Sequence, residues 1–471
     1  MANMRIKHLI AGMLVLLLGG CTLAPKYQQP DLPVAESLPD GERKAAVAGQ
    51  EAAIDATLGW RDFFSDPQLQ QLIQTALANN RDLRVSALNI EAYQAQYRIE
   101  RSALFPSLYG DGYGSKQRSP SGDQHVIVEG YGAGVGITAY ELDLFGRVRS
   151  LKDKALEQYL AMEETHRSNQ ISLVAEVARA YLTLLADREL LAITVDTVRI
   201  EEASYLLIGQ RTREGLANQL DLAQARTSLE NAKANLSRFQ RQVVQDLNNL
   251  NLLTGAPAPA NPAEIKSLGE QMALAAVPVG LPSRVLLQRP DIMAAEHALK
   301  GAHAQIGAAR AAFFPTISLT ASAGKMSADL SDLFDGNSGS WLFRPSISLP
   351  IFTGGRLEAE LDVAEISKEI NVARYEKAIQ TAFREVADAL VASETYQSQL
   401  VAQKANLTAN QEYYSLAKDR YLQGVDSFLT LLDAQRSLYS ARQNYINLQL
   451  AQQVNQVSVY KVLGGGWKER S

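Results

Sequence analysis

Past the first twenty residues the chain has no apolar run approaching the ~20 residues of a membrane-spanning helix. Its hydrophobic positions fall instead into two repeating patterns. In one of them the period is two. Tyr109, Asp111 and Tyr113 alternate with Leu108, Gly110 and Gly112, and Val135, Ile137 and Ala139 alternate with Gly134, Gly136 and Thr138. Farther on, Ile317, Leu319 and Ala321 alternate with Ser318 and Thr320, and Ile347, Leu349 and Ile351 with Ser346, Ser348 and Pro350. Large residues interleaved with small or polar ones predict amphipathic strands, here two hairpins at about 105–145 and about 314–352. Their tips are expected near Ser119 to Asp123 and Asp335 to Ser340.

In the other pattern the spacing is three to four. Leu173, Val177, Ala180 and Leu184 form one stripe and Val174, Ala178, Tyr181 and Leu185 another beside it; Ala382, Val386, Ala389 and Phe383, Ala387, Leu390 repeat the arrangement. A double stripe implies a helix with neighbours on two sides. No proline interrupts the chain from Ser121 to Ala256 or after Pro350. A helix from Arg147 to about Arg213 spans some 65 residues, which at 1.5 Å per residue is ~100 Å, longer than any compact globule needs. The chain is expected to turn near Gly215 and again near Gly424, where glycine accepts a left-handed backbone. It then returns as shorter helices, Leu220 to Leu253 and Phe428 to Val462. Ahead of each hairpin another helix is predicted, Asp66 to Leu104 and Pro282 to Phe313, ended by Phe105-Pro106 and Phe314-Pro315 because proline disfavours helix in the residue before it.

These elements are written twice. Arg101-Ser-Ala-Leu-Phe-Pro106 recurs as Arg310-Ala-Ala-Phe-Phe-Pro315, Asp82-Leu83 as Asp291-Ile292, Ser228-Leu229 as Ser437-Leu438, and Gly215, Leu220, Ala225 and Gly255 as Gly424, Leu429, Ala434 and Gly464. One constant shift of 209 residues relates every pair, which marks an internal duplication. The chain divides accordingly into residues 61–255 and 283–465, the two repeats, joined by a Pro-rich linker at 256–282 and followed by a short tail at 466–471. An extended segment, 21–60, precedes them.

The N-terminus changes the picture. Arg5, Lys7 and His8 precede an apolar run from Leu9 to Leu18 and then Gly19-Gly20-Cys21, the organisation of a secretory signal peptide over residues 1–20. Leu18-Gly-Gly-Cys21 resembles the lipobox of bacterial lipoproteins, which implies acylation of Cys21, and Thr22 rather than an aspartate at the next position favours outer-membrane sorting. Cys21 is the chain's one cysteine, so neither a disulfide nor a thiolate metal site is available. A net charge of −5 gives no basic stripe for nucleic acid. The five histidines form no metal-ligand cluster, and no phosphate loop or nucleophile elbow appears, so no enzyme, cofactor or metal centre is expected. Any membrane crossing must therefore be made by strands. Four per chain cannot close a barrel, and an open edge in lipid leaves backbone groups unsatisfied at several kcal/mol each. Two chains give eight strands and a bore filled by side chains, whereas three give twelve and room for a channel.

The duplicated plan, the Phe-Pro strand entries and Gly424-Val-Asp-Ser-Phe-Leu-Thr-Leu-Leu-Asp-Ala-Gln-Arg436 resemble the TolC/OprM-like outer-membrane factors, and the lipobox places the chain nearer the lipoprotein OprM branch. That resemblance implies an α+β homotrimer: a twelve-stranded outer-membrane β-barrel continued by a long periplasmic α-helical barrel, serving as the exit channel of a tripartite efflux pump. It implies a periplasmic membrane-fusion adaptor meeting the tips around Gly215, Asn218, Gly424 and Ser427, and an inner-membrane pump of the RND type. It further implies a gate with a leucine ring at Leu429 and an aspartate ring at Asp433, with Arg436 close by to hold the ends together. In the first repeat the matching positions are Leu220 and Gln224, so only the second supplies the acid. Ducts for metal-ion efflux or type I protein export share this plan. A structural periplasmic coiled-coil lipoprotein is the alternative from another class, and it leaves the paired strands without a purpose.

Overall fold

A computed structural model describes residues 22–35, 59–121, 124–257, 268 and 283–465. Cys21, the signal peptide, most of the linker and the C-terminal tail lie outside the described residues. In chain order the elements are α1 (Trp60–Phe63), α2 (Pro67–Asn79), α3 (Arg81–Ser102), β1 (Leu108–Ser121), β2 (Gln124–Glu141), α4 (Arg147–Arg213), α5 (Gln219–Thr254), a 3-10 turn (Ser283–Gln288), α6 (Pro290–Ala311), β3 (Thr316–Ser327), β4 (Gly339–Ser348), α7 (Arg356–Leu422) and α8 (Phe428–Val462). The duplication is visible in the boundaries, since α4 and α7 both run 67 residues and begin 209 positions apart. The chain divides into two compact units: one of residues 1–31, 88–164 and 293–377, the other of 32–87, 165–292 and 378–471.

The first unit holds the strands, in one antiparallel sheet of order β1-β2-β3-β4. Directly paired residues share a face, so the register sorts the side chains. One face carries Leu108 opposite Ile137, Val135 opposite Ala323, Ile137 opposite Ala321, and Ile317, Leu319, Ala321 and Ala323 opposite Ile347, Pro345, Phe343 and Trp341. The other carries Tyr109, Asp111 and Tyr113 opposite Gly136, Gly134 and Gly132, then Ser318, Thr320 and Ser322 opposite Ser346, Arg344 and Leu342. An apolar face and a small, polar face back to back is the pattern of a strand between lipid and water. The β2–β3 register slips between Ile137 and Tyr140, where Ala139 adopts φ 50° and its N–H is received by Thr320 Oγ1 at 3.2 Å.

The first hairpin agrees with the sequence expectation: β1 runs to Ser121, paired throughout with β2, although the apolar alternation stops at Tyr113. Two other expectations need correction here. The second hairpin turns at 328–338 rather than 335–340, with a short 3-10 helix at Leu330–Asp332. Leu349 and Ile351 are not in a strand. β4 ends at Ser348, Pro350 has no N–H to continue the ladder, and Ile351 is 93% exposed.

Below the sheet in the same unit, the start of α4 is fixed by carboxylates. Asp143 receives the N–H groups of Val148 and Arg149 at 3.2 and 2.8 Å, an N-terminal cap that also complements the helix dipole. Glu141 receives Arg147 Nε at 2.9 Å.

In the second unit the double stripe forms the core. All eight residues read from the first repeat, from Leu173 to Leu185, are buried, among Trp60, Phe64, Leu69, Ile73 and Tyr460. In the second repeat Ala382, Val386 and Ala389 are buried, while Phe383, Ala387 and Leu390 are half-buried, leaving that stripe partly uncovered in the single chain. Tyr181 crosses the core to donate its hydroxyl to Asp66 Oδ2 at 2.8 Å. The predicted helix from Asp66 to Leu104 is broken in two at Asn80, which is extended (φ −60°, ψ 131°). Its Nδ2 donates to the Leu253 carbonyl at 2.9 Å, and its Oδ1 caps α3 at the Leu83 N–H, also 2.9 Å. The break lies against Gly255, at φ 64° and so close that a Cβ there would stand 2.5 Å from the Asn79 carbonyl oxygen. The predicted Pro282–Phe313 helix is likewise divided, a 3-10 turn giving way at Arg289 to α6, whose first residue is Pro290. No helix of the described residues is long and apolar enough to cross a membrane.

Candidate functional site

The residues singled out by sequence gather where the long helices turn back. α4 ends in Gly215 and α7 in Gly424, at φ 73° and 74°, the left-handed conformation that closes a helix without a Cβ penalty. Both turns are wired alike. Leu216 and Ala217 N–H groups return to the Arg211 carbonyl at 2.8 and 3.2 Å, and those of Val425 and Asp426 to the Arg420 carbonyl at 2.9 and 3.4 Å. The next helix then starts on a capping side chain. Asn218 Oδ1 receives the Asp221 N–H at 2.8 Å, and Ser427 Oγ the Thr430 N–H at 3.4 Å. Asn218 and Ser427 thus have structural work as N-caps that the sequence reading did not assign to them.

The two turns are not equivalent. In the second, Asp426 takes a two-pronged ion pair from Arg420 at 2.7 and 2.9 Å, whereas the first has Ala217 at that place. Arg211 instead reaches across to the Tyr421 hydroxyl at 2.9 Å, its guanidinium 5.3 Å from the ring centre. Tyr421 packs with Ile208, Ala225, Phe428, Leu431 and Leu432, so the two turns share one apolar cluster. One face of α8 is consumed by that cluster. Leu429 and Asp433, four residues apart, stand together on its exposed face, Leu429 being 55% exposed, and Leu220 is exposed in the same manner.

Asp433 and Arg436 do not pair with each other in the protomer. Asp433 Oδ2 receives the Tyr413 hydroxyl at 3.2 Å, and Arg436 Nη2 donates to Ser228 Oγ at 2.8 Å. Arg436 therefore ties α8 to α5 rather than bracing the acid. Tyr413 was missed, although the sequence held a signal for it. In an antiparallel helical hairpin, residues equidistant from the turn face one another. Tyr413 and Asp433 are symmetric about Gln423, as are Arg420 and Asp426.

Behind this face lies a residue no motif announced. Glu201 of α4 is only 3% exposed, and its Oε2 has no hydrogen-bond partner among the described residues. Burial pushes its carboxyl up to about 7, opposed by the positive charge of Arg436. The neighbouring Tyr414 hydroxyl is raised as well, first by burial and then by Glu201.

The family model described as outer membrane efflux protein matches residues 72–256 and 281–465, two stretches separated by the same 209-residue shift as the repeats. The chain belongs to the outer membrane efflux protein family. It is 53% identical over 459 residues to the toluene efflux pump outer membrane protein TtgC of Pseudomonas putida, covering 97% of this chain and 94% of that one. Against the outer membrane protein OprJ of Pseudomonas aeruginosa the identity is 46% over 466 residues, covering 97% and 95%. Among solved structures, the open state of the MtrE outer membrane channel of Neisseria gonorrhoeae superposes with a TM-score of 0.86 at 41% identity, over 95% of this chain and 99% of that one. This efflux protein therefore shares its fold with outer-membrane channels along nearly its whole length. Its four-stranded sheet and duplicated long helices are the family's architecture.

Proposed function

We propose that this chain is the exit duct of a tripartite efflux pump, conducting small molecules passively from a periplasmic assembly to the exterior. The observation that carries this reading is the sheet: four strands, apolar on one face and polar on the other, with β1 and β4 left as open edges. Such edges are tolerable in lipid only when another copy covers them. Three copies make a closed barrel of twelve strands with an open bore. Helices α4 and α7, each about 100 Å long at 1.5 Å per residue, carry the duct into the periplasm.

On this reading Cys21 bears the lipid that anchors the mature chain in the outer membrane. The turns at Gly215 and Gly424, with Asn218 and Ser427 beside them, meet the hairpins of a membrane-fusion adaptor, which joins the duct to an RND-type pump. Leu429 and Asp433, exposed on one face of α8, form the periplasmic constriction. Three Asp433 carboxylates around the axis attract cations and oppose closure. Arg436, bonded to Ser228, restrains that face from behind. The names of the relatives, which include toluene and antibiotic efflux proteins, favour apolar organic solvents and antibiotics as cargo.

Deleting the chain in its host and following accumulation of the apolar dye N-phenylnaphthylamine tests the role. Accumulation is expected to rise severalfold and to return to wild type with a plasmid-borne copy. An unchanged dye level, with adaptor and pump expressed, would remove the efflux assignment.

A further inference from the structure

The face of the sheet that carries Asp111 has a composition that barrel closure alone does not require. Along β1 three consecutive residues on that face are Tyr109, Asp111 and Tyr113, and opposite them on β2 stand Gly136, Gly134 and Gly132. The glycines make a trough. A Cβ at Gly132 would fall 2.7 Å from Tyr113 Cζ and 3.0 Å from its hydroxyl, so the phenol ring lies across the space a side chain would fill. At Gly134 a Cβ would meet the Ala323 carbonyl oxygen at 3.0 Å and Gly324 Cα at 3.2 Å, so the floor is closed by the next strand. The Tyr113 ring therefore lies low on the wall, and Asp111 stands over glycine between it and Tyr109.

Asp111 is exposed and makes no ion pair among the described residues. The charged groups on its own face are few. Within one protomer Arg344 is on β4, three strands away and opposite Thr320, and Glu141 is engaged by Arg147. Lys116, the nearest cation along β1, is on the opposite face and is held by Glu129. A carboxylate flanked at two-residue spacing by π faces matches one ligand chemistry, a cation attached to a flat apolar body. The charge is met by the acid and the body by the rings.

We propose that Tyr109, Asp111 and Tyr113 form a transit site for aromatic organic cations on the inner wall of the channel, one per protomer. The inference rests on the barrel reading above, in which the polar face lines the bore. It adds a place where cargo dwells on a wall otherwise rich in hydroxyls and glycines. Sites of this kind, weak and repeated, let a solute enter and leave without being trapped.

Ethidium is a suitable probe, measured by fluorescence titration against the trimer in phosphatidylcholine nanodiscs with empty discs as background. The wild type is expected to bind it saturably. Asp111→Asn, which preserves shape and removes the charge, should weaken binding about tenfold, and Tyr113→Leu severalfold. The anion 8-anilinonaphthalene-1-sulfonate should bind no better to the wild type than to Asp111→Asn. Where Asp111→Asn yields no trimer, Tyr109→Leu and Tyr113→Leu, which retain the acid, carry the test. Equal ethidium affinity in wild type and variants overturns the site, as does wild-type binding no greater than that of empty discs. A wild-type chain that forms no heat-modifiable trimer would instead sink the barrel reading, so the two failures are told apart.

Discussion

Replacing Glu201 with glutamine tests how the helical turns are held together. The unfolded chain releases this proton near 4.5 and the folded chain near 7, because burial penalises the charged form. The stability associated with a neutral Glu201 is therefore complete below 4.5 and is lost as pH rises through 7. At about 1.4 kcal/mol per pH unit, the full effect is roughly 3 kcal/mol by pH 8. Guanidinium unfolding followed by far-UV circular dichroism, at about pH 5 and about pH 8, measures it. The wild type is expected to lose roughly 2–3 kcal/mol more than Glu201→Gln between those conditions, and the variant should be the more stable at the higher pH. Arg436→Gln, which removes the opposing positive charge, should extend the loss to higher pH. Parallel pH profiles for wild type and Glu201→Gln would show that Glu201 is not titrating in the folded chain and that the buried carboxyl has been misread.

Other outcomes follow from individual contacts. Asn80→Ala removes both the bond to Leu253 and the cap on α3 at a buried position, and should cost about 1–3 kcal/mol in the same unfolding assay, where a null result would make the helix break incidental. Gly424→Ala meets nothing within 4 Å and carries only the strain of a left-handed alanine, about 1–2 kcal/mol. Gly255→Ala adds a collision with the Asn79 carbonyl and should be the more damaging of the two; the reverse order by thermal melting would contradict the geometry. Mass spectrometry of the mature chain is expected to find diacylglycerol and an amide-linked fatty acid on Cys21. A mature N-terminus without lipid would refute the anchor.

Long helices were the most legible feature, because their signals are local and strong. Proline is absent, two apolar stripes run at helical spacing, and a glycine marks each turn, so Arg147 to Arg213 could be bounded without tertiary knowledge. The duplication supplied the second copy. What escaped reading depends on contacts distant in sequence. Asn80 looks like one more polar residue in a helix until Leu253 is beside it. In the second hairpin the alternation of Leu349 and Ile351 suggested strand beyond the point where Pro350, lacking an N–H, ends the ladder. At the candidate gate, Leu429 and Asp433 were recognisable from a motif, whereas the partners of Asp433 and Arg436 were not. Charge complementarity suggested that those two would meet. The hairpin register directs Asp433 to Tyr413, and packing across the bundle directs Arg436 to Ser228. Glu201 had no motif at all, since an acid on an amphipathic helix is ordinarily solvated and only the surrounding helices bury it.

Single-channel recording from the purified trimer in planar bilayers tests the central claim most directly. A channel gated at the turns predicts discrete, small, cation-preferring conductance steps for the wild type. Leu429→Ala combined with Asp433→Ala should give larger steps and weaker cation preference, because the exposed face of α8 then lacks both bulk and charge. Stable trimers that give no discrete steps would contradict the exit-duct account, and steps identical in size and selectivity in the double variant would remove these residues from its gate.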